Sequence, residues 1–294
     1  MRTHRSPSAI LIALLALIAA AAFIGCGDDD DDQSPGGTEA ASVELSECTP
    51  DTLETLKDGK LTVATDSPAF EPYFVNDDPT NGQGFESAVA YAVADRLGFE
   101  QADVEWTVVP FNASYAPGPK NFDFDVNQIS ITPEREKQVD FSSPYYEAKQ
   151  GVVALKDSDA ADATSIEDLN SANIGVQIGT TSLDAVNEVI QPDSDPQVFD
   201  TSNDVVTALK QGKVDAIVVD VPTGFFLTAV EVPEATLSGQ FAAPGGDEWG
   251  ALLEKDSPLT DCLSAAIDDL RESGELAEIE QEWISDKANA PVLE

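Results

Sequence analysis

Histidine is almost absent from this sequence of 294 residues, because the single one is His4. Acid–base catalysis by histidine and histidine metal sites are therefore not expected, and we predict no catalytic residue, no metal and no cofactor. Basic residues are also scarce: 15 lysines and arginines stand against 55 acidic residues, for a formal net charge of −40. Such a chain repels phosphate backbones, so we expect no nucleic-acid partner.

One long apolar run is present, over residues 9–24, and it follows a short segment that contains two arginines. A basic segment, an apolar stretch and a small residue before a cut are typical of a secretory signal. Phe23-Ile-Gly-Cys26 resembles the lipobox of bacterial lipoproteins, with phenylalanine where leucine is usual. This resemblance implies a signal peptide over residues 1–25 and a lipid on Cys26. An uncleaved membrane anchor is the alternative, although a span needs about 20 apolar residues.

Both interpretations place the rest of the chain outside the cytoplasm. The stretch after Cys26 contains five consecutive aspartates and then small, polar residues, so it cannot bury a core. We interpret residues 26–50 as a flexible tether between the lipid and the folded part. The predicted location is extracytoplasmic, with the N-terminal lipid holding the chain at the cell membrane.

Two cysteines, Cys48 and Cys262, remain once Cys26 is assigned to the lipid. An even pair in an oxidising compartment favours one disulfide. Two buried thiols are the alternative.

Short β-like runs alternate with helical patterns along the remaining chain, which is typical of an α/β fold. Residues 112–121 are rich in proline, glycine and asparagine and are predicted to form a loop. The predicted strands are residues 61–66, 104–109, 122–131, 151–156, 173–178, 197–200, 215–220 and 249–255. The predicted helices are residues 86–97, 183–190, 203–210, 259–270 and 276–284.

The segment from Ser130 to Tyr146, which reads Ser-Ile-Thr-Pro-Glu-Arg and ends in Ser-Ser-Pro-Tyr-Tyr, carries a resemblance to a known family. It resembles the signature of extracellular solute-binding proteins of the polar amino-acid type, which are the binding components of ABC importers. The similarity covers about residues 57–287 and includes Gly59–Asp66 and Gly212–Asp220.

The resemblance implies an α/β fold of the periplasmic binding protein-like type II class, in which two lobes with mixed sheets are joined by a two-segment hinge. The ligand lies in the cleft between the lobes. We expect lobe 1 to comprise residues 51–147 and 245–290 and lobe 2 to comprise residues 150–240. The crossings are expected near residues 147–150 and 241–248.

A free amino acid presents a carboxylate and an ammonium group, so its site needs a fixed cation and a fixed anion. Arg96 and Arg271 lie among solvent-facing helical positions and are interpreted as surface charges. Thr132 as the N-cap and Pro133 as the first helical residue would instead place Arg135 in the first turn of a helix. A cation is unfavourable there until an anion binds the free N–H groups and the guanidinium together.

In the family, Arg135 corresponds to the arginine that binds the α-carboxylate of the ligand, with Ser130 and Thr132 adding hydrogen bonds. The resemblance places the turn with Thr180 and Thr181 against the same carboxylate from the other lobe. The alternatives are a surface ion pair between Arg135 and a neighbouring glutamate, and simple helix capping by the threonines.

Asp220 ends an apolar strand, and ligands of open α/β sheets bind beyond such strand ends. The resemblance assigns Asp220 to the α-ammonium group, and the alternative is an N-cap for the next helix. Phe70 and Phe111 align with aromatic residues that sandwich the carbon stem of the ligand. Asp66 and Gln177 offer hydrogen bonds to a polar side chain, which favours a glutamine-like or basic ligand over glutamate.

The predicted function is extracytoplasmic binding of a polar amino acid by a monomer and its delivery to an ABC transporter permease. An exported dehydratase-type enzyme on the same fold is the alternative, although the sequence contains neither a Gly-x-Ser-x-Gly element nor a phosphate loop. A sensory domain would need an attached membrane span or signalling module, and we expect neither. Many relatives carry a helix where this chain has residues 112–121, so this wall of the cleft is expected to differ.

Overall fold

The computed structural model describes residues 43–284 and 290–294. The chain divides into two units, residues 1–40 and 41–294, and the strands and helices of the fold belong to the second. The predicted signal peptide over residues 1–25, Cys26 and the first part of the tether lie outside the described residues. None of the helices in the described part combines the length and the apolar character that a membrane span requires.

The described residues alternate strands with helices, as the sequence pattern predicted. The strands are β1 (Leu61–Thr65), β2 (Val104–Val108), β3 (Phe124–Asp125), β4 (Val139–Glu147), β5 (Gln150–Leu155), β6 (Ile174–Gln177), β7 (Gln197–Phe199), β8 (Ala216–Asp220), β9 (Ala235–Phe241) and β10 (Glu248–Glu254). The α-helices are α1 (Phe85–Arg96), α2 (Phe111–Ser114), α3 (Thr181–Ala185), α4 (Ser202–Lys210), α5 (Val221–Phe226), α6 (Thr260–Ser273) and α7 (Glu275–Trp283).

Lobe 1 is built on a mixed sheet of five strands in the order β2-β1-β3-β10-β4. β1 runs parallel to both of its neighbours, whereas β10 runs antiparallel to β3 and β4. All five residues of β1 are buried, as expected for a central strand with both faces covered. Helices α1, α6 and α7 cover the sheet, and Phe85, Val89 and Val93 of α1 lie in its core.

Lobe 2 is built on a second mixed sheet of five strands in the order β7-β6-β8-β5-β9. β6 runs parallel to β7 and β8, and β5 runs antiparallel to β8 and β9. The chain passes from the first sheet to the second between Glu147 and Gln150 and returns between Phe241 and Glu248. The predicted α/β fold with two mixed sheets is therefore confirmed.

Residues 290–294 lie against lobe 2, whereas the sequence analysis expected lobe 1 to extend to residue 290. The side-chain amide of Gln240 donates to the carbonyl of Ala290 at 2.7 Å, and the backbone N–H of Leu293 donates to the carbonyl of Gln240 at 2.9 Å. Leu293 fills the space above Gly239, where an added Cβ would collide with the leucine side chain. Burial of this leucine in the lobe 2 core accounts for the difference.

Three local predictions were wrong. Residues 112–121 are not entirely a loop, because α2 begins at Phe111 and ends at Ser114. The strand predicted over residues 122–131 is reduced to the two residues of β3. The strand pattern in that stretch reflects burial rather than pairing, since Phe122, Val126 and Ile129 are all buried.

The third wrong prediction is the helix expected after Thr132. No helix begins at this point. Residues 133–138 form turns, with the N–H of Glu136 bonded to the carbonyl of Thr132 at 2.9 Å. β4 begins at Val139 and pairs with β10, so the chain is taken into the sheet after about one turn. A single turn gains too few hydrogen bonds to grow into a helix.

A disulfide joins Cys48 to Cys262, with 5.7 Å between their Cα atoms. Cys262 lies in the first turn of α6, so the bond fixes the start of the described chain to lobe 1. The sequence separation of the two cysteines is 214 residues. A loop of this length loses much entropy on closure, which stabilises the folded state by roughly 5 kcal/mol in the chain-entropy model.

We expect non-reducing peptide mapping of the protein, purified without reductant, to yield one linked peptide pair that contains Cys48 and Cys262. The double variant Cys48→Ser/Cys262→Ser should unfold at lower denaturant concentration, with a loss of up to roughly 5 kcal/mol in the free energy of unfolding. Two titratable thiols at these positions in the native protein would contradict the pairing.

Candidate ligand-binding site

A cavity of about 90 Å³ lies between the two lobes. Every residue predicted to contact the ligand lines this cavity, with the exception of Thr132. Lobe 1 contributes Asp66, Phe70, Phe111, Asn127, Gln128, Ser130 and Arg135, and lobe 2 contributes Gln177, Thr180, Thr181, Ser182, Ser202, Val205, Val218, Val219, Asp220 and Thr223. The polar residues that the sequence analysis did not name are Asn127, Gln128, Ser182, Ser202 and Thr223.

Arg135 is the cation of this cavity, and its side chain is only 8% exposed. One terminal guanidinium nitrogen, Nη1, donates to the carbonyl of Ser130 in lobe 1 at 2.7 Å. The other, Nη2, donates to the carbonyl of Gly179 in lobe 2 at 3.0 Å. No carboxylate in residues 43–284 or 290–294 forms a salt bridge with Arg135, so the surface ion pair with a neighbouring glutamate is not observed.

Neutral carbonyl groups hold the guanidinium in place but leave its charge uncompensated. Burial lowers the pKa of Arg135, and the nearby Tyr115, Asp247, Asp184 and Asp220 oppose this shift. An arginine side chain nevertheless stays protonated at neutral pH. The arrangement therefore suits an incoming anion.

Thr132 stabilises the turn that carries Arg135 rather than lining the cavity. Its hydroxyl oxygen accepts a hydrogen bond from the N–H of Arg135 at 3.2 Å. It lines a neighbouring cavity of about 460 Å³ instead. Because no helix follows, the attraction for an anion comes from the guanidinium and not from a helix dipole, which corrects the sequence-based argument.

Asp220 faces Arg135 across the same cavity, from the last position of β8. It occupies the N-cap position of α5, yet its side chain makes no capping hydrogen bond. Its Oδ1 instead accepts from the side-chain amide of Gln150 at 3.0 Å. Burial raises the pKa of Asp220 well above its usual value, and the nearby carboxylate of Asp247 raises it further.

The profile of the bacterial extracellular solute-binding proteins, family 3, matches residues 61–286. The chain belongs to this family.

Curated relatives support this assignment. The arginine-binding extracellular protein ArtP of Bacillus subtilis (strain 168) is 30% identical over 207 residues, which cover 69% of this chain and 78% of the relative. The ABC transporter glutamine-binding protein GlnH of the same organism is 28% identical over 285 residues, which cover 94% of this chain and 96% of the relative.

Solved structures of amino-acid-binding proteins also support the family assignment. An ancestral arginine-binding protein bound to arginine superposes with a TM-score of 0.65 at 31% identity, covering 77% of this chain and 99% of that one. The ancestral amino acid-binding protein AncCDT-1, described as a precursor of cyclohexadienyl dehydratase, gives a TM-score of 0.64 at 28% identity and covers 77% and 96% of the two chains.

The second lobe of this solute-binding protein contributes the turn at the start of α3. The hydroxyl oxygen of Thr180 accepts from the N–H of Leu183 at 3.2 Å, which is the helix cap that the sequence analysis considered as an alternative. Thr181 is not used as the cap. Its hydroxyl group lies 3.3 Å from that of Ser130 and donates to Oδ2 of Asp247 at 3.2 Å.

Gln150 and Asp247 connect the hinge to the cavity. The amide nitrogen of Gln150 donates to Asp247 Oδ2 at 2.6 Å as well as to Asp220, and its carbonyl oxygen accepts from Ser182 at 2.6 Å. Both residues are buried, and the other oxygen of Asp247 has no hydrogen-bond partner in the described residues. The sequence analysis missed this pair, although each residue lies at a predicted crossing.

Asp66 and Gln177 already make hydrogen bonds inside the protein. Asp66 accepts from the N–H of Ser67 at 2.7 Å and from the N–H of Phe111 at 3.2 Å. Gln177 accepts from the hydroxyl of Ser202 through its side-chain oxygen, which leaves its amide nitrogen as the donor group. Asp66 thus adds a carboxylate to the cavity with no cationic partner among the residues described.

Glu86 lies behind the cavity and positions Gln128. It accepts from the N–H of Gln128 at 2.7 Å and from the hydroxyl of Tyr145 at 2.5 Å, and it also bonds the side-chain amide of Gln128. These bonds hold Gln128 at a φ of 48°, in the left-handed region that non-glycine residues rarely adopt. Burial raises the pKa of Glu86 to about 7, and it does the same for Asp125.

We expect Glu86→Gln to change how stability depends on pH. The pKa of Glu86 is raised from 4.5 to about 7 in the folded protein, so the folded state binds this proton more tightly than the unfolded chain. Its contribution is fully present below about pH 4.5 and is lost as the pH rises towards 7. The wild-type free energy of unfolding should therefore fall more steeply between these pH values than that of Glu86→Gln.

Denaturant titrations at several pH values would measure the two slopes. The charge of Glu86 also raises the pKa of Asp125, so the comparison is repeated in the Asp125→Asn background, where this second titration is absent. Equal slopes would contradict the raised pKa of Glu86.

Proposed function

We propose that this protein binds a polar or basic L-amino acid between its lobes, outside the cytoplasm, and delivers it to the permease of an ABC importer. The observation that carries the proposal is the placement of Arg135 and Asp220 on opposite lobes of one cavity. A zwitterionic amino acid satisfies both charges at once, because its carboxylate can bind the guanidinium of Arg135 and its ammonium group can bind the carboxylate of Asp220. Neither charge has an opposite partner within hydrogen-bonding distance in the described residues.

The electrostatics of the cavity favour a cationic side chain on the ligand. Asp66 and Asp220 both line it, Asp247 lies directly behind Thr181, and Arg135 alone opposes them. A ligand such as arginine or lysine would bring a second positive charge to this acidic surrounding, whereas glutamine would bring only hydrogen bonds. Glutamate would add an unpaired buried anion, which is costly.

The named relatives support the same range of ligands. ArtP is named as arginine-binding and GlnH as glutamine-binding, and the ancestral structure holds arginine. Several charge-assisted hydrogen bonds of about 1.5–3 kcal/mol each make a micromolar affinity reachable after the costs of ordering. Closure of the lobes is a hinge motion, and the importer would recognise the closed form.

We further propose that residues 1–25 direct export, that Cys26 carries the lipid anchor and that the exported protein acts as a monomer. The arrangement of residues 1–26 is the support for the first two steps. We also propose that the protein is a binding protein and not an enzyme, because its curated relatives are named as binding proteins.

A thermal-shift panel of L-amino acids tests the proposal. Arginine, lysine, histidine and glutamine should raise the melting temperature, and glutamate should not. Arg135→Ala should reduce the affinity for the best ligand by at least about 100-fold, because two charge-assisted hydrogen bonds are lost. Arg271→Ala is the matched control, since this arginine is exposed on α6 and lies outside the cavity.

Undiminished affinity in Arg135→Ala would contradict the assignment. If no amino acid binds, or if a prephenate-like substrate is turned over, the transport function is wrong and the dehydratase alternative gains support.

Asp220→Asn should weaken the binding of an amino acid more than that of the same molecule without its α-amino group. The amide keeps the size of the side chain but loses the charge that attracts the ammonium group. Isothermal titration with arginine and with 5-guanidinopentanoate measures the two losses. Equal losses would argue against an ammonium contact at Asp220.

A further inference from the structure

The segment that follows β2 contacts the other lobe beside the cavity. The hydroxyl of Tyr115 donates to the side-chain oxygen of Asn112 at 2.5 Å, and it lies 3.4 Å from the carbonyl oxygen of Gly179. Asn112 belongs to α2, and Tyr115 directly follows that helix. Both residues belong to lobe 1, whereas Gly179 precedes α3 in lobe 2. The contact therefore requires the lobes to be closed.

Position 179 has no room for a Cβ atom while Asn112 and Tyr115 keep their present positions. An added Cβ would lie 2.5 Å from the hydroxyl oxygen of Tyr115 and 2.7 Å from the side-chain oxygen of Asn112. Real Cβ contacts essentially never fall below 3.0 Å, so either the ends of these two side chains or the lobes themselves would have to move apart. Both colliding atoms come from lobe 1, so this collision arises only where the lobes meet.

The aromatic residues of this segment, Phe111 and Tyr115, also contact Arg135, which is the cation of the cavity. Cζ of Arg135 lies 4.7 Å from the ring centre of Tyr115 and 5.5 Å from that of Phe111. The two rings pack edge to face, with their centres 5.6 Å apart. Arg135 and Tyr115 both approach the carbonyl of Gly179, so one lobe 2 group receives the arginine and the tyrosine together.

We propose that Asn112 and Tyr115 are positioning residues that determine ligand affinity: they close against Gly179 and hold Arg135 over the cavity. Because their contact forms only when the lobes close, its free energy adds to that of ligand binding. The inference rests on the proposed function, since it assumes that closure accompanies binding.

Gly179→Ala and Gly212→Ala form a matched pair for the test. Both glycines adopt a positive φ, 75° at Gly179 and 62° at Gly212, so alanine is strained at either position. An added Cβ at Gly212 meets nothing within 4 Å. We expect Gly179→Ala to weaken binding of the best amino-acid ligand by about tenfold or more relative to Gly212→Ala, with similar melting temperatures without ligand.

A rescue variant separates closure from local backbone strain. Asn112→Ala with Tyr115→Phe removes both colliding oxygen atoms and keeps the aromatic ring over Arg135. In the Gly179→Ala background, these two changes should recover part of the lost affinity, because they remove the collision but do not restore the contact with Gly179. No recovery would overturn the proposal, because a purely local effect at residue 179 is insensitive to side chains of the other lobe.

Closure can also be followed without any ligand. The hydroxyl oxygens of Ser130 and Thr181 lie 3.3 Å apart across the lobes, so Ser130→Cys with Thr181→Cys places two sulfur atoms within bonding reach only in the closed form. Under oxidising conditions, this disulfide should form more slowly with Gly179→Ala than with Gly212→Ala. The rescue variant should restore the rate.

The affinity measurements and the disulfide-trapping measurements together distinguish the proposed function from the proposed role of Asn112 and Tyr115. If no amino acid binds the wild-type protein, the proposed function fails, and the trapping rates still decide the role of Asn112 and Tyr115. Equal trapping rates with Gly179→Ala and Gly212→Ala, or equal ligand affinities in these two variants, would overturn that role.

Discussion

The buried guanidinium of Arg135 is the interaction on which the rest of the site depends. It donates to a carbonyl of each lobe, at 2.7 Å to Ser130 and at 3.0 Å to Gly179, so it contributes both to the cavity and to the closed arrangement. These carbonyl groups orient the side chain without neutralising it. A buried charge that is oriented but not compensated is prepared for a charged ligand, because the ligand then supplies the missing counter-charge.

The acidic side of the cavity is organised by the hinge. Gln150 at the first crossing bonds both Asp220 and Asp247, and Asp247 lies at the second crossing. Thr181 extends the same network to the turn of lobe 2. Burial raises the pKa of Asp220 well above its usual range, and repulsion by the neighbouring carboxylate of Asp247 raises it further. A ligand ammonium group would relieve that repulsion, so occupancy of the cavity and the geometry of the hinge are physically connected.

Particular residues show how much of the site could be predicted from the sequence. Arg135 and Asp220 were identified by charge arithmetic and by family resemblance, and the structure brings both to one cavity. Thr132 was assigned to the ligand by the family resemblance and to a helix N-cap by its local sequence, but the chain enters β4 at Val139 and no helix forms. Local sequence preferences favour a helix start at this point, but pairing with β10 stabilises the strand instead.

Other residues of the site have no local signal. Tyr115 and Asn112 lie in a segment whose proline and glycine content predicts only a loop, and their role depends on Gly179, which is more than 60 residues away in the chain. In the sequence, Glu86 is an ordinary acidic residue in the first turn of a helix. Only its burial raises its pKa, and the hydrogen bonds from Tyr145 and Gln128 offset part of that increase. Contacts of this kind depend on how the lobes meet and on how each lobe packs.

By itself, the sequence determined the alternation of strands and helices, the family and the residues that carry the opposite charges of the cavity. These properties follow from hydrophobic periodicity and from short motifs, which are local and can be read in order along the chain. Only the tertiary structure decided which neighbours surround each charge, which carboxylates are buried, and that Asn112 and Tyr115 leave no room for a Cβ atom at position 179. Burial and cross-lobe distance arise from residues that are far apart in the chain, and no local pattern encodes them.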